Sequence, residues 1–464
     1  MHLPRPAGVR RWDVRALAAS SLASLAVGLA SAPNTSQHRW GLAAAVAYAC
    51  AALVALVSRT PWSRAAALTA AVGAVAVPLV WLTAVGLEQM EVGVVERAAR
   101  HLLETGTPYL ADPVAVRDFN PYLPGMALFG LPHALFGAGP ATSARLWCLA
   151  GFLVVLTAAV AVLVKGERQP RRKAVAVTGA LWIAASPVVA LPLAIGGVDP
   201  VVVACILLAL AYAHRGRAGG AGLVLGAAAV LKWTAWPAVP VVVALMAATR
   251  GPRAARTTAA VSVGVAALVV APPLLADPRA FLDNAVLYPF GLSRTASTAA
   301  SPLLGHLLVT WVPHGRTLAV ALIGLSAVAV AVSLLVRPPM SVPAAAHRLA
   351  LGLTLAILLS PATRIGYAVY PVALLIWARC ITLAARPPVA STDPPVPSVP
   401  GPSRPTPAGA CSVPPAGARD GRRLQSLGER RALRGVRSGS GTEVVQSLLV
   451  PGFQSLLRLC RSEA

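Results

Sequence analysis

The chain has 464 residues, enough for two or three soluble domains, yet 56% of them are hydrophobic and 12% charged, which describes a polytopic membrane protein instead. Aromatic residues make up 5%, so the apolar mass is Ala, Val and Leu, the composition of lipid-embedded helices and not of β-barrels. A net charge of +24, from 40 Lys plus Arg against 16 Asp plus Glu, would mark a nucleic-acid binder in a soluble chain; here the cations fall between apolar runs, where they set orientation, and no nucleic-acid partner is expected.

A hydrocarbon layer of about 30 Å takes ~20 apolar residues of helix, so uncharged runs count as crossings. They fall near residues 14–31, 40–57, 64–86, 143–164, 174–194, 199–213, 257–276, 317–336, 349–361 and 365–383. The first run resembles a secretory signal, but the next follows so soon that an uncleaved helical hairpin is preferred. Residues 122–137 are apolar but short and carry Pro124, Pro132 and His133, so they read as a re-entrant or interfacial element. Residues 221–249 are too long for one helix and are interrupted by Lys232, Pro237 and Pro240; two short helices meeting near Lys232 and Trp233 resolve the length. The expected fold is therefore all-α, a polytopic transmembrane bundle of about twelve spans over residues 1–386. Beyond it, eleven prolines fall between Pro387 and Pro415, followed by an Arg-rich stretch. Residues 387–464 read as a disordered cytoplasmic tail, with at most a weak amphipathic helix at its end.

Lys and Arg gather before the first span (Arg5, Arg10, Arg11, Arg15), after the fourth (Lys165 to Lys173), and at Arg215, Arg217, Arg250, Arg253 and Arg256. With twelve crossings every cluster is cytoplasmic and both termini are inside. Carboxylates contribute little to that rule. Of those between residues 14 and 386, Glu88, Glu91, Glu96, Glu104, Asp112, Asp118, Asp199, Asp277 and Asp283 all fall at the outer face, and Glu167 inside. Acids collected on one side suit a site that removes protons or binds cations, although simple segregation of basic and acidic loops gives the same count.

The outer segment 87–121 has apolar residues at Val92, Val95, Ala99, Leu102 and Leu103, the spacing of an amphipathic helix, and Gly106 ends it. Glu91 lies where this helix leaves the membrane, and partial desolvation there raises a carboxylate toward the range of a base; a helix-start acid favoured by the macrodipole is the equal alternative. Glu96 and Arg100 have the spacing of a surface pair. Asp118 precedes a turn-rich run and suits an Asx turn better than a ligand. Asp199 can cap the helix starting at Pro200, or face a cavity. Lys232, next to Trp233 and Trp236, interrupts an apolar hairpin on the side where positive charge is disfavoured, which an anionic ligand such as a phosphate explains better than snorkelling. Arg364, with Tyr367 and Tyr370, reaches the outer face and either clamps a phosphate or anchors a helix end. The six cysteines suggest neither a disulfide nor a metal site, and no Gly-rich phosphate loop is present.

Glu91 to Tyr109, Asn120 to Gly125, Phe136 to Trp147, Gly196 to Pro200 and Leu231 to Trp233 together resemble glycosyltransferase family 87, bacterial mannosyltransferase-like membrane proteins of the GT-C class. The resemblance spans residues 64–383, and the order and spacing of its motifs carry it. It implies a GT-C-like bundle in a bacterial plasma membrane with its active site on the extracytoplasmic face. It also implies a polyprenyl-phosphate sugar donor and a glycan or glycolipid acceptor, with mannose the first choice by analogy. Glu91 takes the place of the acidic base, usually Asp, in the first large outer loop; whether Glu91 or Glu96 does the work stays open. Asp118, Asp199, Lys232, Arg364 and Tyr367 are candidates for substrate binding. No cofactor is required, although a divalent cation could assist. The rival readings are a transporter or lipid flippase with Asp199 and Lys232 along its route, and a non-catalytic membrane protein with a basic tail.

Overall fold

A computed structural model describes residues 11–295 and 298–385, all within the unit Met1–Arg386. The expected tail, 387–464, lies outside the described residues. Among the described residues the secondary structure is helical, with one isolated bridge between Ala300 and Thr363.

The chain opens with a hairpin of α1 (Trp12–Ala30) and α2 (Ser36–Val57). The third span is α3 (Arg64–Ala71), a π-helical turn at Val72–Ala76, and α4 (Val77–Ala84). An amphipathic α5 (Met90–Thr105) follows, ended by Gly106 at φ +79°. Residues 122–137 form a 3-10 segment, Pro124–Gly130, and the one-and-a-half-turn α6 (Leu131–Phe136), too short to cross. Then come α7 (Ala144–Val164), α8 (Pro170–Ala185), α9 (Pro187–Ile195), α10 (Asp199–His214), α11 (Ala218–Ala229) and α12 (Ala238–Arg250), with a 3-10 turn at Trp233–Ala235 in the expected break. Next are α13 (Pro252–Ala276), α14 (Pro278–Phe281), α15 (Leu304–Trp311), α16 (Gly315–Val336), α17 (Val342–Leu359) and α18 (Val369–Ala385).

Eight helices are long and apolar enough to cross a membrane, and nine if α8 and α9, bent by 63°, make one broken span. The sequence predicts about twelve. The difference lies in α10, α11 and α12, which are shorter than that test requires: the 16 residues of α10 reach about 24 Å. Some boundaries also move. The span expected from 257 begins at Pro252, because proline in a first turn needs no N–H, and the one expected from 349 begins at Val342 behind the Ser341 cap. The sequence reading contains no α15; its Gly305 packs directly on the Leu359 carbonyl.

Helix α10 sits at the centre, buried on nearly every side, as an apolar-all-round sequence requires. Broken helices leave backbone carbonyls without partners, which lipid cannot satisfy. At the α8–α9 bend the Ala185 carbonyl accepts from the Tyr48 hydroxyl at 2.8 Å. Trp40 Nε1 donates at 2.8 Å to Ala74 O in the π-helical turn. Both ties run from α2, which thereby fastens the N-terminal hairpin to the bundle. Within the hairpin, α1 meets α2 backbone to backbone at Gly28 and Gly41, the close approach that small residues permit between membrane helices.

A Cβ at Gly41 would stand 2.3 Å from Gly28 N, so Gly41→Ala is expected to cost about 1–3 kcal/mol and to lower the thermal midpoint in detergent. Gly264→Ala is the control, since a Cβ there meets nothing within 4 Å; it should leave the midpoint in place or raise it.

Candidate active site

Four segments converge at one end of the bundle. The first is the start of α5, tied to the end of α9 by the Gln89 N–H on Ile195 O at 3.0 Å. The α9–α10 turn closes over α5 at Gly196: its φ is +100°, and a Cβ there would come within 2.3 Å of Val92 Cγ2, so both conformation and space call for glycine. That contact sets Asp199, at the start of α10, beside Glu91. The third segment is the break between α11 and α12, whose Val230 and Leu231 carbonyls accept from the N–H groups of Gly125 and Leu123 at 2.9 and 3.1 Å. The Asn120–Gly125 run is thus the hydrogen-bond complement of the break that carries Lys232. The fourth is the turn before α18. Thr363 anchors it, donating its N–H to Ala299 O and its hydroxyl to Ile357 O, both at 2.8 Å.

Arg364 Nη1 donates to Glu91 Oε1 at 2.7 Å, and its Nη2 to Thr298 Oγ1 at 2.6 Å. Lys232 Nζ donates to Asp199 Oδ1 at 2.7 Å, and the Tyr370 hydroxyl donates to the same oxygen at 2.6 Å while accepting from Thr234 Oγ1 at 2.5 Å. The ammonium also lies 4.8 Å from the Tyr367 ring centre and 5.5 Å from that of Tyr122, within cation–π range. Burial pushes the Glu91 carboxyl above the usual carboxylate range. The cations Lys232 and Arg364 oppose that shift and the like charge of Asp199 adds to it.

Glu91 and Arg364 line a cavity of about 480 Å³ together with Asn34, Thr35, Ser36, Gln37, Thr298 and residues 87–90. Lys232 and Asp199 stand behind it and do not line it. The model of glycosyltransferase family 87 matches residues 120–361, just over half of the chain. The chain belongs to glycosyltransferase family 87. No curated protein and no solved structure matches it. With its apolar helices, this makes it a membrane glycosyltransferase.

The match includes Asp199 and Lys232 but begins after Glu91 and ends before Arg364 and Tyr367. Geometry alone joins those three to the family-87 core. Of the residues expected from sequence, Glu91, Asp199, Lys232, Arg364 and Tyr367 come together. Glu96 and Asp118 do not. Instead of pairing along its helix with Arg100, Glu96 accepts the Ala144 N–H at 2.9 Å, capping α7, and meets His133 Nδ1 at 3.4 Å. It lines a separate cavity of about 270 Å³ with Glu88, His133 and Arg145. Asp118 Oδ2 accepts the Ala115 N–H at 2.8 Å, the local turn role. Asp199 makes no cap bond to its own helix; its acceptor oxygen is taken by Lys232 and Tyr370. Lys232 is paired with Asp199, and Arg364 is the cation among the residues that line the cavity.

Sequence reasoning missed Tyr122, Thr234 and Thr298. Tyr122 sits in the quoted Asn-Pro-Tyr run; Thr234 and Thr298 carry no signal that patterning could catch. Among the described residues no group of three or more His, Cys, Asp and Glu is arranged to hold a metal.

Breaking the inner pair tests its role. Lys232→Met leaves Asp199 with an uncompensated buried charge and should cost ~3–5 kcal/mol, while the double variant Lys232→Met, Asp199→Asn should recover most of that in thermal unfolding of the purified protein.

Proposed function

We propose that this family-87 protein transfers a hexose, mannose first, from a polyprenyl-phosphate donor to a glycan or glycolipid acceptor, with Glu91 as base and inversion at the anomeric carbon. The observation that carries the reading is the Glu91–Arg364 contact inside one cavity, a partly buried carboxylate and a guanidinium side by side. A nucleotide sugar would call for a nucleotide-binding element, whereas a lipid-borne donor enters sideways from the bilayer between helices.

Topology supports the extracytoplasmic face of a bacterial plasma membrane. At the far end of α7 the Lys165 carbonyl accepts from Arg215, and at the far end of α10 the His214 carbonyl accepts from Arg250. The Arg-rich loops therefore gather opposite the site, the side that the positive-inside rule makes cytoplasmic. Counting α8 with α9 as one crossing and α10, α11 and α12 as one each gives twelve, in a GT-C-like arrangement with the described N-terminal end inside.

In the reaction, Glu91 takes the proton of an acceptor hydroxyl as that oxygen bonds to the anomeric carbon. The bond from that carbon to the phosphate oxygen breaks, and its electron pair leaves with the polyprenyl phosphate. A diester of charge −1 becomes a monoester of charge −2 while Glu91 goes from −1 to 0. The negative charge thus migrates from carboxylate to leaving group within reach of one guanidinium, which holds the phosphate as its charge grows. Lys232 keeps Asp199 neutralised, with the Tyr367 ring against its ammonium.

Glu91→Gln should lower transfer from mannosyl-phosphoryl-polyprenol in membranes by about 10²–10⁴-fold. Because the base must be ionised and its carboxyl titrates above the ordinary range, the wild-type rate should rise with pH through an ionisation higher than that of a free glutamate, and the variant's residual rate should lack that limb. Undiminished transfer by the variant removes Glu91 from the mechanism.

A further inference from the structure

The α1–α2 hairpin lies outside the region that matches the family, yet its turn reaches the reacting groups. Four consecutive residues, Asn34, Thr35, Ser36 and Gln37, line the same cavity as Glu91 and Arg364. All four are polar and uncharged. On a membrane protein this apolar, such a run facing a cavity is a recognition surface for neutral hydrogen-bonding groups.

The turn is firmly built. Thr35 Oγ1 accepts the His38 N–H at 3.2 Å and caps α2, and His38 Nδ1 lies 2.8 Å from Gly28 O, across the hairpin. The Gly28–Gly41 contact and the Trp40 tie to Ala74 hold this hairpin to itself and to the third span. Ser36, 3% exposed, donates its hydroxyl to Gln37 Oε1 at 3.1 Å, which fixes the Gln37 amide and leaves its nitrogen as a donor. Asn34 is exposed at the mouth of the turn and offers both a donor and an acceptor.

The charged residues lining the cavity are Glu88, Glu91 and Arg364. Arg364 is the cation among its lining residues, so a phosphodiester belongs on that side. The Thr35 and Ser36 hydroxyls are bonded to Ala32 O and Gln37 Oε1, so the hairpin wall offers the uncharged amides of Asn34 and Gln37, the complement of a sugar's hydroxyls. We propose that Asn34 and Gln37, the latter fixed by Ser36, form a glycoside subsite, which holds an acceptor sugar with its attacking hydroxyl at Glu91. Calling the bound sugar an acceptor rests on the transferase reading above; binding of a glycoside by this wall does not.

The test uses the full-length protein in lipid nanodiscs, with methyl α-mannopyranoside as the probe and mannosyl-phosphoryl-polyprenol as donor. Asn34→Ala and Gln37→Ala should each raise the KM for the probe about tenfold, the loss concentrated in KM and not in kcat, as expected for removing one well-placed hydrogen bond. Equilibrium binding of the probe, measured in the Glu91→Gln background, should weaken by the same factor. Gln37→Asn, which keeps the amide, should restore part of the affinity and also serves if the alanine variant melts early. Absence of probe binding by the wild type, or KM and binding unchanged in both alanine variants, overturns the subsite. Probe binding that is lost in the variants without any transfer by the wild type keeps the subsite and sinks the transferase reading. Transfer with unaltered variants does the reverse.

Discussion

The site depends on the cost of placing ionised groups inside an apolar bundle. An isolated carboxylate or cation there is penalised by several kcal/mol unless an opposite charge and further hydrogen bonds surround it. Glu91, Asp199, Lys232 and Arg364 answer that constraint as two pairs, each at 2.7 Å, with Tyr370 and Thr298 filling further bonding positions. Each charge comes from a different part of the chain. Neutralising them therefore requires the start of α5, the start of α10, the α11–α12 break and the turn before α18 to meet.

Backbone accounting reinforces the same convergence. Each interruption of a helix in lipid exposes carbonyls, and at the site the fold satisfies those of Val230 and Leu231 by bringing in another segment. The Leu123 and Gly125 N–H groups take up the carbonyls beside Lys232, with Pro124 between them, which has no N–H to place. Asn120 then folds its own strand of chain inward: its Nδ2 donates to Pro108 O and its Oδ1 accepts the Tyr122 N–H, which sets the Tyr122 ring against the ammonium. The loop motifs of the sequence thus act mainly as backbone complements, and the charged groups ride on them.

Much of this was legible beforehand because it is written in local pattern. Long apolar runs, the 3.6-residue period of α5 and its glycine stop, and the break around Lys232 all follow from neighbouring residues. The membrane count was legible only in part, since hydropathy does not say how long the helices α10, α11 and α12 will be. Contacts between distant positions were not legible. Nothing near Glu96 announces that it caps a helix starting at Ala144, and nothing around Thr298 announces Arg364. Asp199 shows why: at a helix start the local rules favour a cap, and a lysine 33 positions later outbids the backbone N–H groups. The short motifs lie in segments that meet in the fold, while the partners of each side chain are set by contacts between distant positions.

The equal numbers of positive and negative groups in the quartet carry a kinetic consequence. Such a neutral quartet casts little field of its own beyond a Debye length, so it does not steer anionic molecules from the surrounding medium. Encounter with the lipid-linked donor proposed above would then be governed by lateral diffusion in two dimensions and by how much of that lipid the leaflet holds. Ionic strength, which governs capture by strongly charged clefts, would have little hold over this one.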